Sequence, residues 1–118
     1  MWERYNVAGQ QAMTQGRPAE AENSFKLALQ EAEKLGDKAP QLPTSLNNLA
    51  NCYRMQGRFP EAEALYKRAL EVKTRQVGPF SNDLIPIMEN YAKMLRAAGN
   101  EKEADKMDQK ARALFSRK

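Results

Sequence analysis

Few residues in this chain are equipped for covalent or acid–base chemistry. Glu61 with Glu63 and Glu101 with Glu103 have the composition of a proton-transfer couple, one carboxyl donating and the other accepting. Two residues apart on the start of a helix, though, the members of each pair point in different directions and meet the positive end of the helix dipole. Their expected role is structural. Cys52 is the single cysteine and histidine is absent. An internal disulfide, a cysteine-built zinc cluster, and serine–histidine or cysteine–histidine catalysis are therefore excluded. Cys52 reads as a packed or partly exposed thiol. The six glycines stand apart from one another, so no loop of them can cradle a phosphate. The six methionines lie at helical spacing and read as core filler. No catalytic residue, metal ion or cofactor is expected.

The elements that hold these residues follow from size and composition. A chain of 118 residues, 42% apolar and 29% charged, fits one folded domain, residues 1–118, that needs no metal or disulfide staple. No stretch is apolar for long enough to span a bilayer. The start, Met1-Trp2-Glu3-Arg4-Tyr5, has no basic region followed by an apolar run, so cytoplasmic residence is expected unless a signal peptide was removed beforehand. The net charge of +4 comes from nineteen basic and fifteen acidic residues interspersed at helical spacing, as in Glu61, Glu63, Lys67 and Arg68. That pattern describes a solvated helix face better than a nucleic-acid patch.

A long period organises the chain. Gly16, Gly57 and Gly99 fall 41 and 42 residues apart, and each is followed at fixed distances by two alanines: Ala21 and Ala28, Ala62 and Ala69, Ala104 and Ala111. Before each glycine lies a small residue, Gly9, Ala50 or Ala92, beside Ala8, Leu49 or Tyr91. Phe25 and Tyr66 match in the first two units, where the third has Asp108. Within a unit the apolar residues recur at three- and four-residue steps, as in Leu46, Leu49 and Tyr53 and then Ala62, Leu65, Tyr66 and Ala69, which is helical periodicity. Each glycine suits a left-handed cap, and Pro18 or Pro60 falls where a second helix can begin. The spacing predicts six helices, at about 2–16, 18–35, 42–57, 60–77, 83–98 and 101–116, forming three antiparallel hairpins in repeats of about 2–40, 43–81 and 84–117. The ends read as caps: Asp108 and Arg112 replace Tyr66 and Leu70, and Arg4 and Gln11 align with Ile87 and Met94. A nearly complete three-repeat module is expected, with the tail of a longer array as the alternative.

The unit from Leu46 to Leu70 resembles the tetratricopeptide repeat, in the longer 42-residue version found in kinesin light chains, and the likeness covers nearly the whole chain. It implies an all-α fold, a right-handed α-solenoid of three stacked hairpins. It also implies a non-catalytic protein–protein interaction module, in which the first helices of successive hairpins line a concave groove for a partner peptide. The groove residues implied are Asn6, Gln10 and Met13 in the first unit, Asn47, Asn48, Asn51 and Arg54 in the second, and Glu89, Asn90, Lys93 and Arg96 in the third. Asparagine offers a donor and an acceptor to a peptide main chain, while arginine and lysine attract carboxylates. Some relatives clamp a C-terminal carboxylate. Asn48 and Asn90 fall in clamp-like places, but Val7, Glu3 and Pro86 depart from that pattern, so a peptide with acidic residues is the more fitting partner. An RNA-binding helical array and a homo-oligomerising scaffold are the alternatives. A monomer or weak homo-oligomer is expected, with no membrane association.

Overall fold

The computed structural model describes residues 1–116 and contains six α-helices among them: α1 Trp2–Thr14, α2 Pro18–Leu35, α3 Gln41–Met55, α4 Phe59–Val77, α5 Ile85–Ala97 and α6 Glu101–Ser116. A 3-10 turn, Asn82–Leu84, leads into α5, opened by the Ser81 side chain accepting from the Asp83 amide at 3.1 Å. The expected third repeat ends at Arg117, which lies outside the described residues.

Each first helix stops a residue or two earlier than its apolar pattern predicts, for one repeated reason. Gly57 takes φ +75°, its amide bonds back to the Arg54 carbonyl at 3.0 Å, and the Arg58 amide reaches the Tyr53 carbonyl at 2.9 Å. The glycine is thus the left-handed residue after the helix, where a side chain would be strained. Gly16 and Gly99 repeat the device bond for bond. The chain then reverses into the second helix, where Pro18 is the first residue of α2 and Pro60 the second of α4; a missing amide costs nothing there.

Three hairpins result, α1–α2, α3–α4 and α5–α6, and they stack through α2 on α3 and α4 on α5 to make an α-solenoid. The repeated alanines are what let the helices approach: Ala21, Ala28, Ala62, Ala69 and Ala104 are fully buried, with Phe25, Tyr66, Leu46, Leu49 and Tyr53 filling the space between. Gly9 carries the same logic furthest, because a β-carbon there would sit 2.4 Å from a ring carbon of Phe25. Ala62→Leu should overpack the α3–α4 crossing and cost roughly 1–3 kcal/mol, read as a lower thermal unfolding midpoint.

The two ends of the stack are polar where its interior is not. Arg4 and Gln11 are exposed in α1, although their counterparts Ile87 and Met94 in α5 are buried against the second repeat. Arg112 in α6 is likewise exposed, and Asp108 stands half-buried where the second repeat buries Tyr66. No helix among the described residues is long and apolar enough to cross a membrane.

Candidate functional site

The leading helices α1, α3 and α5 lie in sequence along one wall, and their asparagines are tied across it. Asn48 Nδ2 of the second repeat donates to Asn6 Oδ1 of the first at 2.8 Å. One repeat later, Asn90 Nδ2 donates to Asn47 Oδ1 at 3.4 Å. The two rungs join equivalent places in the repeat. Each uses one end of each amide, and Asn47, Asn48 and Asn90 are half-buried, so the opposite ends take no part in the rungs. Asn6 is different, since its residue is only 8% exposed and its amide is mainly a fastening between repeats.

Behind this row stands Tyr66, wholly buried, whose hydroxyl donates to Asn51 Oδ1. Its ring stacks on Tyr91 of the third repeat, with centroids 5.6 Å apart and planes inclined by 14°. Tyr91 Oη in turn donates to Glu63 Oε2 at 2.9 Å. Arg54 lies beside Tyr66, and its Nε is buried with no hydrogen-bond acceptor. A buried guanidinium donor left unpaired is costly.

Burial pushes the phenols of Tyr66 and Tyr91 above their ordinary value of 10.0; the Arg54 guanidinium partly counters the rise at Tyr66, and the hydrogen bond to Glu63 adds to it at Tyr91. The folded state therefore holds these protons more tightly than the unfolded chain. The stability they contribute is fully present below the unfolded value and is lost as pH rises towards the folded ones. Urea midpoints should hold steady to about pH 10 and fall beyond it, less steeply in Tyr91→Phe.

The remaining groove residues divide by surroundings. Gln10 is exposed and Met13 half-buried; with Thr14, Phe25, Asn48 and Asn51 they border a hollow of about 460 Å³ between the first two repeats. Lys93, Glu89 and Asn90 border a second hollow of about 330 Å³, with Pro86, Arg96 and Asp108. Arg96 is accessible yet turned onto its own hairpin: Nε reaches Glu101 Oε2 at 3.2 Å, and Nη2 reaches Asp105 Oδ1 at 3.1 Å and Asp108 Oδ2 at 2.7 Å. Thr14 and Asp108 were outside the sequence-derived set; the helical step from Gln10 to Thr14 would have found the first, while nothing short of the fold places the second.

The residues that resembled acid–base or nucleophilic machinery are engaged in structural contacts, and Glu63 and Cys52 make theirs across repeats. Glu61 binds Arg58 at 2.9 Å, Glu63 takes the Tyr91 hydroxyl, Glu101 takes Arg96, and Glu103 lies 3.4 Å from Lys106. Cys52 is buried and donates to the Pro18 carbonyl at 2.8 Å, and burial pushes its thiol up, which disfavours the thiolate a nucleophile needs. Nearby, Glu22 gathers Arg58 at 2.8 Å, Lys26 at 2.8 Å and Gln56 at 3.2 Å, and Trp2 Nε1 donates to Ser45 Oγ at 2.6 Å. The bonds of Arg58, Gln56 and Trp2 fasten the first repeat to the second.

Comparison with known proteins agrees with the repeat reading. The family model for the tetratricopeptide repeat matches residues 4–75 and 42–117. Among solved structures, the TPR domain of Arabidopsis FLU is similar with a TM-score of 0.86 at 19% identity, over 99% of this chain and 96% of that one. A candidate kinesin light chain of Podosopora anserina, built of nearly identical TPR-like repeats, is similar with a TM-score of 0.84 at 19% identity, over 98% of this chain and 55% of that one. BtubC from P. vanneervenii is similar with a TM-score of 0.63 at 20% identity, over 98% of this chain and 63% of that one. The chain thus spans a little over half the length of the kinesin light chain structure. No curated protein matches it.

Proposed function

Since the chain belongs to the tetratricopeptide-repeat family, whose fold is generally a protein–protein interaction module, we propose that it is a non-catalytic adaptor holding a segment of a partner protein along α1, α3 and α5. The segment's main chain meets the free amide ends of Asn47, Asn48, Asn51 and Asn90, and an acidic side chain of the segment meets Arg54 and Lys93. The observation that carries this reading is the buried, acceptor-less Nε of Arg54 beside the amide row. A buried donor without an acceptor gains nothing from water alone, whereas a partner's oxygen would satisfy it.

The test uses peptide arrays in which each sequence appears in an acidic form and an amide form, Glu to Gln and Asp to Asn. Wild type should be retained on the acidic members, and the Arg54→Ala, Lys93→Ala variant should lose them. Unchanged affinity of that variant for every partner captured by wild type would end the proposal. A salt dependence as steep as that of a nucleic-acid binder, with retention on RNA and not on peptide, would put an RNA-binding array in its place.

A further inference from the structure

Arg54 and Arg96 occupy the same place in the repeat, three residues before Gly57 and Gly99, yet their surroundings are opposite. Arg54 keeps a buried Nε with no acceptor, while Arg96 is met by Glu101, Asp105 and Asp108 at 3.2, 3.1 and 2.7 Å. The cause lies on the second helix of each hairpin. Where the third repeat has Glu101 and Asp108, the second has Phe59 and Tyr66. Where the third has Asp105, the second has Glu63, and that carboxylate is drawn away by Tyr91 of the following repeat at 2.9 Å. Asp105, by contrast, lies 3.1 Å from Arg96.

Building on the groove reading above, the geometry points to a specificity device: the acidic face of α6 is an internal competitor that occupies Arg96 and so confines recognition of a partner's carboxylate to Arg54 and Lys93. A single exposed ion pair is a weak competitor, but three carboxylates converging on one guanidinium share the entropic cost of holding it. A partner carboxylate arriving at Arg96 must displace groups already in place. At Arg54, whose guanidinium lies against the Tyr66 hydroxyl, it displaces no ion-paired carboxylate among the described residues.

The test uses fluorescein-labelled hexaglutamate, with affinity read by anisotropy on the whole chain. Asp105→Asn, Asp108→Asn should bind it roughly threefold to tenfold more tightly than wild type. A control with two equal charge removals elsewhere, Glu20→Gln, Glu71→Gln, should gain clearly less, which separates the device from the general rise in net charge. Adding Arg96→Ala to the double variant should erase the gain. The inference is overturned if the double variant gains no more than the control, or if its gain survives the loss of Arg96. If neither wild type nor any variant binds hexaglutamate, the acidic-groove reading is what fails. The reactivity of arginines towards phenylglyoxal, mapped by mass spectrometry, then decides the competitor by itself: Arg96 should be protected in wild type and become reactive in Asp105→Asn, Asp108→Asn, and equal reactivity in both would overturn it.

Discussion

Tyr66→Ala is expected to lower the free energy of unfolding by about 3–5 kcal/mol, the range for removing a large buried aromatic and leaving a cavity that its neighbours fill only in part. Tyr66 has no exposed surface and stands in the middle of the stack, between α3, on which its hydroxyl binds Asn51, and Tyr91 of the third repeat. Its loss therefore strikes the contact between the second and third hairpins as well as the interior of the second. In a solenoid, stability is nearly a sum of repeat and interface terms, so weakening one interface should loosen cooperativity as well as lower the midpoint. Trp2 provides the second probe, since its indole is bound to Ser45 at the junction of the first two repeats. In Tyr66→Ala, helicity by circular dichroism should fall at a lower urea concentration than the Trp2 fluorescence transition, whereas wild type should show the two together. Tyr66→Phe keeps the ring and should cost only about 0.5–1.5 kcal/mol, from the lost hydrogen bond. An alanine variant that unfolds within about 1 kcal/mol of wild type would mean that the stacked pair does not carry the junction.

The second large effect is functional. Replacing both Arg54 and Lys93 with alanine should weaken binding of an acidic peptide by roughly 2–4 kcal/mol, about thirtyfold to a thousandfold, most of it from Arg54. The asymmetry comes from burial. A charge-assisted hydrogen bond to a buried Nε is worth more than an exposed pair, and Lys93 is exposed. Titration calorimetry with the best acidic array peptide and its amide counterpart checks this directly, because wild type and variant should differ on the first and nearly agree on the second. Arg54→Lys should recover only part of the loss, since an ammonium cannot present the Nε donor where the planar group does. Unaltered circular dichroism of both variants shows that binding, not folding, was affected.

The repeat made much of this architecture legible before any coordinates. Spacing alone places α2 at 18–35 and α6 at 101–116, the bounds observed, because helical periodicity, proline starts and glycine ends are local properties of the chain. The errors fall mainly at the first helices, which end at Thr14, Met55 and Ala97 because their glycines lie past the helix and carry its cap, while α4 begins one residue early at Phe59. The polar ends of the stack were legible too, from Arg4 and Gln11 against Ile87 and Met94. The leading helices that carry the expected groove residues were legible, and nothing finer. That Asn48 fastens to Asn6 and Asn90 to Asn47 cannot be read from identity or spacing, since an amide free in the groove and one tied to the next repeat have the same letter.

Arg54 and Arg96 show where the boundary falls. Both are arginines in one register, and chain pattern treats them alike; three-dimensional packing leaves one with an empty donor and surrounds the other with carboxylates. The hairpins themselves arise from contacts within a few turns of helix, which residue order encodes as period, cap and small-residue spacing. The charge available in the groove depends on which side chains, between five and some forty residues away, reach the same point first, and that competition is settled only when the helices dock.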